Sequence, residues 1–181
     1  MCRSKCPDIL RCPPIFITKP SVNTMNIVSI ATAASLIDQS ERTLRRRIVD
    51  GSLTRLEDES GSNRTMIPFA AIKEQIVIPV VEEDLALIAE ADAGRAEAQN
   101  DLALLFLSHD KPRSALYWLE LAAKQDYPDA MHWLGRCYLE GNGTLKDDNL
   151  GLMWLAKAAA HGHAISQVQM EAMRNSFITN K

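Results

Sequence analysis

The sequence predicts a mainly α protein: a short α-solenoid of paired helices behind a small head of three short helices and one β-hairpin. Three observations predict it. The C-terminal half repeats itself, with Ala98, Ala130 and Ala164 at intervals of 32 and 34 and Trp118 and Trp154 at 36. Apolar residues there keep helical spacing between recognisable caps. Residues 26–76 instead alternate short helical and strand signals with turn residues.

Composition narrows the class. Of the 181 residues, 46% are hydrophobic and 24% charged, which suits a globular chain and not a wholly disordered one. No apolar run reaches the ~18–20 residues of a membrane helix, and Ile15 to Ile17 is too short for a signal-peptide core. The expected location is the cytoplasm. Net charge is −3 and unevenly spread: +3 over residues 1–25, zero over 26–76 and −6 over 77–181. The acidic half is a poor match for a nucleic-acid backbone.

Residues 1–25 lack periodicity and carry Pro7, Pro13, Pro14 and Pro20, which predicts disorder. Met25 opens the first patterned stretch and reads as a candidate start of the native chain. Cys2, Cys6 and Cys12 lack a nearby His or a second C-x2-C pair, so they read as reduced thiols and not as a zinc site.

The head spans residues 26–76. Ala33, Ala34, Leu36 and Ile37 form the apolar face of a short helix. After a turn at Asp38-Gln39, Ser40 caps a second helix over Glu41–Val49, because its hydroxyl can take an orphan backbone N–H. Gly51 ends that helix. Leu53–Leu56 and Thr65–Ile67 are the expected hairpin strands around the polar tip 57–63, and Pro68 starts an expected third helix to Ile76. Pro79 breaks the apolar stretch that follows, so 77–82 reads as a linker and 83–181 as the repeat domain.

Within the repeats, alanines let helices approach and aromatic rings fill the gaps between pairs. Each pair alone exposes an apolar face that stacking buries. Gly141 and Gly143 end one helix, Asp147 or Asp148 caps the next, and Pro128 suits a first helical position. Ala130, Leu134, Gly135, Tyr138, Gly141, Gly143, Asp147, Trp154, Lys157, Ala158, Ala159 and Gly162 stand in an order that resembles the Sel-1-like repeat, a relative of the tetratricopeptide repeat. The first unit departs from it: Ala103 replaces the Gly, Phe106 the Tyr, and Ser108–Pro112 replaces the Gly-x-Gly loop. The resemblance implies a groove that binds a protein or peptide.

The head resembles the winged helix-turn-helix of the excisionase and mercury-resistance-regulator type. The resemblance rests on Ala33, Ala34, Ser40, Arg42, Thr43, Leu44, Arg46, Ile48, Asp50, Gly51, Leu53, Ile67, Pro68 and Ile72. It implies contact with double-stranded DNA. At about 100° per residue, Arg42 and Arg46 lie roughly 160° and 200° from Leu44 and face away from the core, with Thr43 and Arg45 beside them. Arg55 and Arg64 flank the wing tip, within reach of phosphates. The expected DNA-contacting set is therefore Arg42, Thr43, Arg45, Arg46, Arg55 and Arg64. Arg47 lies on the core side, where it should snorkel or pair with an acid. Two heads on two half-sites would suit a homodimer. Glu57, Asp58 and Glu59 oppose DNA contact, and leave a non-DNA adaptor as the alternative.

The sequence carries no nucleophile motif, phosphate loop or paired-carboxylate signature, so neither catalysis nor a cofactor is expected. His161-Gly-His163 reads as a helix end, Cys137 as a buried core residue, and Trp118, Trp133 and Trp154 as repeat core.

Overall fold

Asp92 holds the beginning of the fold to its middle. Its carboxylate accepts the Ser29 backbone N–H at 3.0 Å and the Ser29 hydroxyl at 2.5 Å, and the Thr32 hydroxyl donates to it as well. Ser29 in turn caps the first helix by accepting the Thr32 N–H. The computed structural model describes residues 27–56 and 65–179. The expectations for residues 1–25, including the three N-terminal cysteines, lie outside the described residues.

The head begins with β1 (Ile27–Ser29), which leads directly into α1 (Ile30–Leu36). The turn at Asp38 has φ 50, a left-handed conformation that Asp tolerates better than most residues. Ser40 caps α2 (Glu41–Val49) by accepting the Thr43 N–H at 3.1 Å. Leu44 points inward and is fully buried.

Two expectations for the head are corrected. β2 (Met66–Pro68) pairs antiparallel with β1, Val28 opposite Ile67, while Leu56 adds one isolated bridge to Met66. The second expected strand was nearly right and the first was misplaced. Val28 and Ile67 face each other and are both buried; the 53–56 segment buries Leu53 but exposes Thr54 and Arg55, and meets the sheet only through the Leu56 bridge. The third helix is replaced by two 3₁₀ turns, Phe69–Ala71 and Lys73–Gln75. The Ile72 N–H donates to the Phe69 carbonyl at 3.1 Å; a three-residue turn brings these two apolar side chains to one side, and both are buried.

The stretch 77–82 is packed. The Val77 N–H donates to the Leu36 carbonyl at 3.0 Å, and Ile78 is buried. It delivers the chain into α3 (Glu82–Asp92), whose first turn carries three acids suited to the positive end of the helix dipole. Five more helices follow: α4 (Ala96–Ser108), α5 (Pro112–Ala123), α6 (Pro128–Glu140), α7 (Asp148–Ala160) and α8 (Ala164–Thr179). Each packs against the next in sequence, most extensively α4 on α5 and α6 on α7. Pro112 and Pro128 occupy first-turn positions, where the missing N–H costs nothing. Asp147 caps α7 by accepting the Leu150 N–H at 2.9 Å.

Buried alanines line the helix contacts, among them Ala98, Ala103, Ala115, Ala122, Ala130 and Ala158. One apolar core runs from Val28 in the head to Ala158 in α7. The Ser114 hydroxyl donates to the Ser35 carbonyl at 2.7 Å, a second polar tie between head and stack.

The register of the third repeat start is also corrected. α4, α6 and α8 begin at Ala96, Pro128 and Ala164, so the residue equivalent to Ala98 and Ala130 is Ser166, not Ala164. The Gln99 amide donates to the Ala91 carbonyl and the Gln167 amide to the Ala159 carbonyl, both at 3.1 Å, which fixes the same alignment independently. Apolar spacing could not distinguish Ala164 from Ser166, because the true occupant is polar.

Candidate functional site

Two surfaces bear on function: the outer side of α2 and the side of the stack formed by the first helix of each pair. On α2, Arg42, Arg45 and Arg46 are exposed and Thr43 is half-buried. Arg42 and Arg46 lie opposite the buried Leu44, as helical spacing requires. Arg45 is bound to Glu41 at 3.0 Å on the same helix. The Thr43 hydroxyl shares a 2.8 Å hydrogen bond with Ser40 and so belongs to the cap. Arg55 is exposed on the far side of the turn, and Arg64 lies outside the described residues. Among the described residues Arg47 reaches no acid: its guanidinium donates to Gln75 Oε1 at 2.8 Å and Gln39 Oε1 at 3.3 Å. Of the two expectations for Arg47, snorkelling or an ion pair, the second is not met among the described residues; the side chain instead ties α2 to the last 3₁₀ turn. Asp50, at the end of α2, is held below the usual carboxylate range mainly by two hydrogen bonds from Ser52, with Arg46 and Arg47 adding less.

On the stack, α4 exposes Glu97 and Asp101, and α6 exposes Asp129. All three act on Tyr127, whose phenol is pushed up by burial first and by these carboxylates next. Trp133, one turn after Asp129 on α6, is half-buried, with the Arg136 guanidinium 5.1 Å from its ring centre. Arg136 also binds Glu140 at 2.7 Å. This is a partly apolar surface with acids at its edge.

Local geometry sets α6 against α7. α6 ends at Gly141 with φ 71, a left-handed residue that donates to the Cys137 carbonyl and stops the helix. α6 and α7 then cross so closely that a Cβ on Gly135 would stand 2.9 Å from the Gly151 carbonyl oxygen. Only paired glycines permit that approach.

Residues 96–127 and 128–163 match the Sel1 repeat.

The boundaries fall where α4 and α6 begin. The chain is similar to a Sel1 repeat protein from Oxalobacter formigenes of solved structure, with 37% identity and a TM-score of 0.46. That likeness covers 48% of this chain and 26% of the other, so the chain spans about a quarter of its relative. Among curated proteins there is no match. Sel1 repeats point to protein–protein interaction, in a fold that is mainly helical with a small two-stranded sheet.

The Sel1 framework brings together a group that sequence reasoning missed. His132 of α6 and His163 before α8 stack with ring centres 4.2 Å apart. Both Nδ1 atoms lie 2.9 Å from the Ser166 hydroxyl. The Ser166 backbone N–H donates to His163 Nδ1 at 3.1 Å, so the His163 side chain caps α8. His132 and Ser166 are buried. Burial, and then the neighbouring His163 and Arg136, lower the His132 pKa to about 4, while Asp129 opposes the shift. The sequence signal was present but was read wrongly. His163 lies just outside a helix start, where a polar side chain can serve as a cap, and the reading assigned it to the end of the preceding helix.

Trp118 is buried, as expected. Trp133 and Trp154 are not wholly core: each is half-buried with a cation over its ring, Arg136 over Trp133 and Lys157 4.5 Å from the centre of Trp154. Cys137 is buried, and burial pushes its thiol up to about 11, where it is inert. Among the described residues no three potential ligands gather as a metal site, and no helix is long and apolar enough to cross a membrane.

Proposed function

We propose that this chain is a cytoplasmic regulatory protein in which the Sel1 stack, 83–181, docks a basic protein segment and the head, 26–76, contacts double-stranded DNA through α2. The observation that carries the docking half is the exposure of Glu97 and Asp101 on α4 and of Asp129 on α6, one turn before the half-buried Trp133. Acids at the rim attract and orient a basic segment, and an aromatic at the centre supplies contact area. The exposure of Arg42 and Arg46 opposite the buried Leu44 supports the DNA half. In this reading Arg42 and Arg46 make the principal contacts, Arg45, Arg55 and Arg64 assist, and Thr43 holds the cap. A homodimer would place two heads on two half-sites.

Specific observations favour a second reading, an adaptor that binds no DNA. Arg45 is neutralised by Glu41, the head has no net charge, and Glu57, Asp58 and Glu59 sit in the expected wing.

Fluorescence anisotropy with random duplex DNA over a salt series separates the two. DNA contact predicts binding that weakens with salt, and a salt slope shallower by about 2 in Arg42→Ala/Arg46→Ala. No binding at low salt by the folded protein leaves the adaptor. For the docking half, a Lys/Arg-rich peptide should bind the wild type and lose at least about tenfold in affinity against Glu97→Lys/Asp129→Lys, a loss of 1.4 kcal/mol or more. Equal binding by an acidic control peptide would remove that half of the proposal.

A further inference from the structure

Head and stack do not close completely where they meet. A cleft of about 360 Å³ lies between β1–α1 and α3–α5, bordered by Thr32, Arg45, Asp92, Gln99, Tyr117 and Trp118 among others. That volume is at the small end of the ~300–1,000 Å³ typical of ligand sites.

Two features of its lining are unusual for a cleft that merely marks a domain contact. Trp118 is 1% exposed, and its indole N–H has no hydrogen-bond partner among the described residues. A buried donor left this way is costly, and native structures rarely carry one. Asp92 is partly buried, and its carboxylate takes hydrogen bonds from Ser29 and Thr32 but forms no ion pair among the described residues. The one cation in the lining, Arg45, is bound instead to Glu41. Tyr117 stands edge-on to Trp118, ring centres 5.0 Å apart, so two aromatic rings share the lining with a carboxylate that is hydrogen-bonded but not ion-paired.

We propose that this cleft is a binding site for a basic amino-acid unit. The ligand's ammonium or guanidinium pairs with Asp92 against the aromatic rings. Its carbonyl oxygen accepts the Trp118 N–H. The same unit can arrive as a free amino acid or as one residue of a peptide. A free amino acid also presents a carboxylate, which Arg45, the one cation in the lining, meets by exchanging its partner Glu41. Because the cleft is walled by both head and stack, an occupant fixes how the two sit together. This site is separate from the acidic face of α4 and α6, and neither proposal needs the other.

The test uses the full chain, with free L-arginine and Nα-acetyl-arginine N-methylamide as probes and the corresponding citrulline compounds as uncharged controls. The chain has three tryptophans, so its NMR spectrum carries three indole N–H signals, and Trp118→Phe identifies one of them. At least one arginine probe should bind by calorimetry and move the Trp118 signal, with its citrulline counterpart weaker by about tenfold or more. Trp118→Phe, which keeps the ring and removes the donor, should weaken binding several-fold. Asp92→Asn, which removes the charge and one of the two acceptor oxygens, should abolish the preference for arginine over citrulline. Arg45→Ala should weaken free arginine only, which distinguishes the two sources. The proposal is overturned if neither arginine probe binds, if citrulline binds equally well, or if the Trp118 signal does not move at saturation.

Discussion

Where the second Sel1 repeat has Gly135 and Gly151 at its helix crossing, the first has Ala103 and Ala115, both fully buried. Where the first has the buried amide Asn100, the second has the stacked His132. Trp118 of the first is enclosed, while Trp154 at the equivalent position is half-exposed under Lys157. Both repeats build the same helix pair, so these positions are not fixed by the pair. They are fixed by what lies on either side. The first repeat is packed between the head with α3 and the second repeat; the second has only α8 beyond it.

The tryptophans break the comparison most sharply if that account is wrong. Trp118→Ala empties a fully enclosed site and should cost about 3–5 kcal/mol of stability. Trp154→Ala removes a ring that already meets solvent and a cation, and should cost less than half as much. Urea denaturation of the two variants measures the difference. Equal losses would mean that the repeat, not its neighbours, sets the burial.

The histidine at the second repeat supplies a pH test that the first cannot. An unfolded histidine protonates near 6.5, whereas His132 in the fold does so only near 4. Between those values the unfolded chain binds more protons, so stability falls as pH drops from 6.5 through 4, by at most about 3 kcal/mol. The group faces Asp129 and Arg136 of its own helix and His163 and Ser166 at the start of α8. His132→Asn, which copies the first repeat, should flatten the fall in stability between pH 7 and about 4.5. An unchanged slope in the variant would assign the acid sensitivity to other groups.

How much of this was legible follows from the same contrast. Helix α2 was read to the residue, because Ser40 and Gly51 mark its ends chemically and Leu44 and Ile48 mark its buried face. The cap at Asp147 and the left-handed stop at Gly141 were legible for the same reason: one side chain and one backbone atom suffice. Contacts between distant segments were not. Nothing in the local pattern says that Ile27–Ser29 pairs with Met66–Pro68, that Asp92 grips Ser29, or that His132 meets His163. Each depends on two stretches far apart in sequence, and one sequence carries no record of which stretches meet. Of the six proposed DNA-contacting residues, the exposure of Arg42, Arg45 and Arg46 was legible from helical spacing, but the diversion of Arg45 to Glu41 and of Thr43 to Ser40 was not.

The glycine crossing gives the finest test. A Cβ on Gly151 would stand 2.7 Å from Leu139 Cγ and 2.9 Å from the Gly135 carbonyl oxygen. The side chain can move, but the carbonyl belongs to a helix backbone and cannot move without shifting α6. Gly151→Ala should therefore cost about 1–3 kcal/mol by overpacking, although alanine is the better helix former by about 1 kcal/mol. The opposite change in the first repeat, Ala115→Gly, should cost about 1 kcal/mol from propensity and more from the methyl it leaves unfilled. The signs are the informative part. Alanine is harmful in one repeat and required in the other at the same position, so swapping both residues at once should destabilise by about the sum, since the two sites lie in different helix pairs. A swap that left the melting temperature unchanged would show that α6 and α7 can separate to the spacing of α4 and α5, and that the close crossing is not what holds the second repeat in shape.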